Sequence, residues 1–179
     1  ADSETAVQKI FEAKGRPAQN PLILHVLDIN QAKQYAELDE KAQMLAKLFW
    51  PGPLTLVVPL RDDSDVARTV TAGLKTIAVR SPSHPIARQV IDQSGLPLAA
   101  PSANKSGSLS ATRAIDVLAS LGSGVDLILA DKGGNIGLES TIIDLSTAPP
   151  TILREGALTA EDMEPYIGEI HISGKSTAQ

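Results

Sequence analysis

Val7, Ile10 and Phe11 recur at the three- and four-residue spacing of a helix that Ser3 or Asp2 can cap. This helix is expected to fade at Lys14-Gly15-Arg16-Pro17, which makes that basic tetrapeptide a loop. Residues 22–26 form a short apolar run of buried-strand type, and Asn30 and Asp39 are expected caps for two helices ending near Phe49-Trp50. Pro51-Gly52-Pro53 breaks the pattern. Residues 54–60 are apolar and rich in β-branched side chains, 76–79 is a further strand, and 84–93 reads as a helix closed by Gly95.

A short strand is expected at 98–100, then a loop over 101–110. An amphipathic helix over 111–121 turns Ile115, Leu118 and Ala119 inward, and a strand follows at 126–130. The Gly133-Gly134 and Gly137 segment reads as a turn into a strand over 140–145, and 151–153 is another strand. Thr159 caps a last helix over 160–166, and the polar tail 173–179 reads as a linker or free end. Strands alternating with helices imply an open α/β sheet, and the close spacing of strands after Gly137 makes that sheet mixed rather than parallel. Ligands of such sheets usually bind in loops at strand ends.

At 179 residues one core suffices, and 42% hydrophobic with 21% charged residues is the balance of an ordinary globular chain. A net charge of -5, with two Phe, two Tyr and one Trp, argues against a broad nucleic-acid face. Direct RNA binding is disfavoured on the same grounds. The absence of Cys, with His only at 25, 84 and 171, removes disulfides, thiolate catalysis and Cys-type zinc sites, so no metal ligand set is expected. No apolar run approaches the roughly 20 residues of a membrane span, and a cytoplasmic protein is expected.

Several polar groups interrupt this pattern. Lys14 and Arg16 flank a glycine just after a helix and can hold an anion between them, although a basic helix end is also the ordinary place for solvated cations. Pro101-Ser102-Ala103-Asn104-Lys105-Ser106-Gly107 follows a strand, with Ser110 further along. Its hydroxyls, amide and backbone N–H groups suit phosphate oxygens, yet the same residues make any tight turn. Neither G-x-x-x-x-G-K-[ST] nor G-x-G-x-x-G occurs. His25, Arg80 and Arg154 sit in or just after apolar strands and can face a cavity; a hydrogen-bonded core histidine and surface salt bridges are the plain alternatives. Ser140 at a strand mouth is a candidate ligand hydroxyl.

In order along the chain, Lys14-Gly15-Arg16-Pro17, Asn20-Pro21-Leu22-Ile23 with His25, Trp50-Pro51-Gly52-Pro53-Leu54-Thr55, and Ala78-Val79-Arg80 with His84-Pro85 resemble the YrdC/Sua5 family. Pro101-Ser102-Ala103-Asn104, Gly137-Leu138-Glu139-Ser140-Thr141 and Ile152-Leu153-Arg154 complete the resemblance, which spans about residues 2–156. It implies an open twisted mixed sheet with helices on both faces and a basic cavity holding ATP beside L-threonine. The activity implied is formation of L-threonylcarbamoyladenylate and pyrophosphate from ATP, L-threonine and bicarbonate or CO2, for threonylcarbamoyladenosine modification of tRNA. Mg2+ would accompany ATP, and downstream threonylcarbamoyl-transfer proteins would take the product.

By resemblance, Arg16, Asn20, Thr76, Ser102, Ser110 and Arg154 fall on the ATP side, and His25, Arg80, Ala100 and Ser140 on the L-threonine side. Lys14, Arg16, Ser102 and Asn104 form the implied catalytic set. Family members normally begin with a further strand and a Pro-Thr-Glu-Thr-type loop, so residues 1–168 are expected to be an N-terminally incomplete domain and 169–179 a tail or the start of a linker. Two alternatives stand beside this: the carbamoyl-adenylate-forming domain of hydrogenase maturation, and a non-catalytic nucleotide- or RNA-binding module.

Overall fold

A computed structural model describes residues 1–130 and 139–174. The expected turn at Gly133-Gly134 and Gly137 and the end of the tail, 175–179, lie outside the described residues. A seven-stranded sheet of order β4-β1-β3-β2-β5-β6-β7 is built from β1 (Ile23–His25), β2 (Leu54–Pro59), β3 (Thr76–Arg80), β4 (Leu98–Ala99), β5 (Thr141–Asp144), β6 (Thr151–Arg154) and β7 (His171–Ile172). Parallel pairs (β1 with β3, β2 with β5, β6 with β7) alternate with antiparallel ones, so the sheet is mixed as expected. The helices are α1 (Glu4–Lys14), α2 (Ile29–Ala32), α3 (Glu40–Phe49), α4 (Pro85–Ser94), α5 (Ala114–Leu121) and α6 (Ala160–Ile167).

Alternation along the strands divides the sheet into two unlike faces. Leu24, Leu54, Leu56, Val58, Ile77, Val79, Ile143 and Ile152 are buried, and they form one core with Val7 and Phe11 of α1, Leu45 of α3, and Met163 and Ile167 of α6. The intervening positions include His25 and Arg80, and Arg154, two residues after Ile152, joins them through the register shift between Ile142 and Ile143; all three remain partly exposed. That second face carries the polar groups. At its β4 end Ile86, Ala87 and Val90 of α4 join His25 and Leu98 around a cavity of about 490 Å³.

Most elements fall where the apolar pattern puts them, and local chemistry explains the departures. Asp28, rather than Asn30, caps α2: its Oδ1 accepts from the Asn30 and Gln31 N–H groups at 2.8 and 2.9 Å. Asp39 caps α3 as expected, accepting from the Ala42 N–H at 2.8 Å. α5 begins at Ala114, not 111, because Arg113 takes the extended cap conformation. Ile115 and Leu118 are 60% and 53% exposed and Ala119 is exposed too, so the expected inward stripe of α5 has no core beneath it. Residues 126–130 form no strand; Leu127 is 74% exposed, and an apolar run makes a strand only where a neighbour supplies hydrogen bonds. Ser140 precedes β5 rather than opening it. The sequence pattern carried no sign of β7, two residues held by β6.

Candidate functional site

Lys14 ends α1, and Gly15 closes the helix in the left-handed conformation with its N–H on the Glu12 and Phe11 carbonyls. This turn sends Lys14 into the protein, where it is 5% exposed and donates from Nζ to the Ser102 carbonyl at 2.5 Å and to the Asn104 carbonyl. An ammonium has three donors, so among the described residues one N–H remains. Lys14 therefore braces the 101–110 loop, and the Ser106 N–H returns a bond to the Lys14 carbonyl at 2.9 Å. Burial, and then the Arg16 charge, pull the Lys14 ammonium below its ordinary pKa. Asn104 Nδ2 donates to the Lys105 and Ser108 carbonyls at 3.0 and 2.8 Å, while its buried Oδ1 meets no donor among the described residues.

Arg16 folds back on its own loop, with Nε 3.0 Å from the Asn20 carbonyl and Nη2 2.8 Å from the Pro21 carbonyl. The parallel pairing of Ile23 with Ala78 sets Thr76 level with Pro21, so Arg16, Asn20 and Thr76 share one end of β1 and β3. Antiparallel pairing of Leu24 with Ala99 carries the chain after β4 toward the same end, which is how Ser102 reaches Lys14. Ser102 and Ala100 are exposed, and the Ala100 N–H is occupied by the Ile23 carbonyl at 3.2 Å. Lys14, Ala100 and Ser102 share the wall of an 880 Å³ cavity.

A second group forms at the opposite strand ends. His25 pairs in register with Arg80, and Arg80 donates from Nε to the Gly52 carbonyl at 3.1 Å. Burial is the larger cause and the Arg80 charge the second that push His25 down to about 4, so its ring is neutral at pH 7. Burial, and next the charge of Arg154, lower the Arg80 pKa. Arg154 wraps Ser140, donating from Nε and Nη2 to its carbonyl at 3.0 and 2.8 Å and from Nη2 to Oγ at 3.0 Å. Glu139 completes the group, ion-paired to Arg154 and accepting from Ser110 Oγ at 3.1 Å. Gly156 makes this packing possible, because a Cβ there would lie 2.5 Å from the Glu139 carbonyl and the Thr141 nitrogen.

The expected site residues thus gather as Lys14, Arg16, Asn20, Thr76, Ser102 and Asn104 on one side and His25, Arg80, Ser110, Ser140 and Arg154 on the other. The plain surface-salt-bridge alternative fails for Arg80, which bonds a backbone carbonyl, and holds in part for Arg154, whose ion pair with half-exposed Glu139 stands beside its bonds to Ser140. Glu139 was missed as a functional residue, and only its place beside Ser140 could have signalled it. Cations whose charge is disfavoured by burial and by one another are suited to an anionic ligand that relieves both penalties.

Fold and site define an α/β domain with one apolar sheet face and one face that carries His25, Arg80 and Arg154. The family model described as telomere recombination, Sua5/YciO/YrdC, matches residues 1–156. The chain belongs to that family. It is 51% identical over 170 residues to the threonylcarbamoyl-AMP synthase of Pyrococcus abyssi, covering 94% of this chain and 49% of that protein. With the Bacillus subtilis threonylcarbamoyl-AMP synthase identity is 46% over 173 residues, covering 96% and 50%. The crystal structure of P. abyssi Sua5 complexed with L-threonine matches with a TM-score of 0.92 at 50% identity, over 98% of this chain and 53% of that one. The chain spans about half the length of these relatives.

Proposed function

We propose that this domain forms L-threonylcarbamoyladenylate from ATP, L-threonine and bicarbonate or CO2, in the cytoplasm, as the activating step of threonylcarbamoyladenosine synthesis on tRNA. The observation that carries the reading is the cationic sheet face that presents Arg80 on the Gly52 carbonyl and Arg154 on Ser140. The relatives' activity and the threonine-bound neighbour support it.

In this reading the threonine nitrogen bonds to the carbon of bicarbonate with loss of water, giving a carbamate. A carbamate oxygen then bonds to the α-phosphorus of ATP as the bond from that phosphorus to pyrophosphate breaks. Both partners are anionic, so alignment and charge neutralisation matter more than a strong base. Arg80 suits the threonine carboxylate as a planar fork, with Ser140 beside it. Neutral His25 adds a hydrogen-bonding group there without a third positive charge. The Ala100 carbonyl completes the threonine side.

Lys14, Arg16, Ser102 and Asn104 act on the triphosphate, with Asn20, Thr76, Ser110 and Arg154 as further ATP contacts. The third Lys14 N–H and the Asn104 Oδ1, neither bonded among the described residues, offer a donor to an anion and an acceptor to a ligand or water donor. Magnesium would arrive with ATP, held by phosphate oxygens, and proteins that transfer the threonylcarbamoyl group would consume the product.

The test is pyrophosphate release with ATP, magnesium and bicarbonate, with and without L-threonine. Release that depends on threonine is expected, and Arg16→Ala and Ser102→Ala should lower it by about 100-fold while leaving the melting curve in place. Release driven by carbamoyl phosphate instead would sink the threonine assignment. Full turnover in both variants would sink the ATP-side assignment.

A further inference from the structure

The Trp50-to-Thr55 segment supplies no ligand contact in the reading above, yet it holds both members of the threonine-side pair. Thr55 is fully buried on β2, a hydroxyl between Leu54 and Leu56 in an otherwise apolar strand. The pairing of Leu56 with Val79 brings Thr55 level with Arg80, and its pairing with Ile142 brings it beside β5. Thr55 Oγ1 lies 2.8 Å from Ser140 Oγ, and that same Ser140 oxygen accepts from Arg154 Nη2 at 3.0 Å. Three residues earlier the Gly52 carbonyl takes the Arg80 Nε donor at 3.1 Å, while the Gly52 N–H is fixed to the Ser81 carbonyl at 2.9 Å. A Cβ at Gly52 would stand 2.2 Å from the Phe49 carbonyl, so the turn admits only glycine without moving.

We propose that Thr55 is a positioning residue for recognition of the amino-acid carboxylate: with the Gly52 carbonyl, it sets Ser140 and Arg80 in one fixed relation. The proposal rests on the threonine-side assignment of Ser140 and Arg80. Among the described residues Ser140 is the hydrogen-bond partner the structure gives Thr55, so the hydroxyl's burial is compensated through that contact. A serine hydroxyl has one donor and two acceptor positions. With Thr55 and Arg154 both bonded to it, the Ser140 oxygen is left little freedom to turn, and Arg154 is held at Ser140.

Packing and positioning predict opposite orders for two substitutions. Thr55→Val keeps the shape and deletes the hydroxyl, whereas Thr55→Ser keeps the hydroxyl and deletes a buried methyl. If Thr55 only fills space, Thr55→Ser is the damaging change and Thr55→Val the mild one. Positioning predicts the reverse. In the full natural chain, Thr55→Val should raise KM for L-threonine on the order of tenfold, leave KM for ATP unchanged, and reduce discrimination between L-threonine and L-threoninamide, which lacks the carboxylate. Thr55→Ser should retain wild-type discrimination.

The Arg154 Nε–H resonance, which reports the bond to the Ser140 carbonyl, provides a readout that needs no ligand. It should shift in Thr55→Val and stay in Thr55→Ser. Wild-type affinity and discrimination in Thr55→Val, with an unmoved resonance, would overturn the proposal. Failure of the wild type to bind L-threonine would overturn the threonine assignment, and the resonance would then decide whether Thr55 orders Ser140 and Arg154.

Discussion

α1 and α5 show equally clear helical periods, yet they end in different surroundings. α1 buries Val7, Phe11 and the stem of Lys14, and its last turn delivers Lys14 to the loop it braces. α5 buries nothing fully: Ile115 and Leu118 face solvent, while Ala114 and Val117 border the 490 Å³ cavity. Leu127 and Leu129 beside it are 74% and 57% exposed. Periodicity reports which face of a helix would be covered if something lay against it. Whether anything does is a property of the whole fold, and the α1 side has the central sheet beneath it.

The largest expected contrast is in stability. Leu24→Ala, in the core that α1 covers, should lower unfolding free energy by about 2–5 kcal/mol, whereas Leu118→Ala should stay within about 0.5 kcal/mol. Denaturant midpoints at constant slope measure both, and equal losses would mean that α5 has a covered face after all.

The second contrast is with the polar face of the sheet, and it depends on pH. Between pH 6.5 and about 4 the unfolded chain protonates His25 and the folded chain does not. The stability this group contributes is therefore complete above pH 6.5 and is lost as pH falls toward 4, by up to about 3 kcal/mol. Unfolding midpoints from pH 7.5 to 3.5 should fall less steeply in His25→Gln than in the wild type. Parallel curves would show that the imidazole is not held neutral.

The smallest contrast lies within one turn of chain. Asp28→Ala should cost about 1 kcal/mol because Asp28 caps α2, and Asn30→Ala only a few tenths. A greater loss at Asn30 would restore it as the cap.

Lys14, Arg16, Ser102, Arg80 and Ser140 were legible as candidates because polar side chains interrupt apolar runs or follow them directly, and their ordered motifs pointed to the family. Thr55 and Glu139 were not. Thr55 reads as one more β-branched strand residue, and its contact with Ser140 joins positions 85 residues apart. The Arg154–Glu139 pair likewise requires the bend that Gly156 permits.

What could be read from the residues alone was local: helix periods, the Asp39 and Gly95 helix ends, the alternating strands and a mixed α/β sheet. These depend on side chains a few positions apart, within reach of one turn or one pleat. Strand order, the division into an apolar and a cationic face, and the bare stripe on α5 came with the assembled chain. Each depends on which distant segment lies alongside, and residue spacing holds no record of that: the charges of Arg80 and Arg154, far apart in sequence, sense each other only because β2 and β5 join their strands into one sheet.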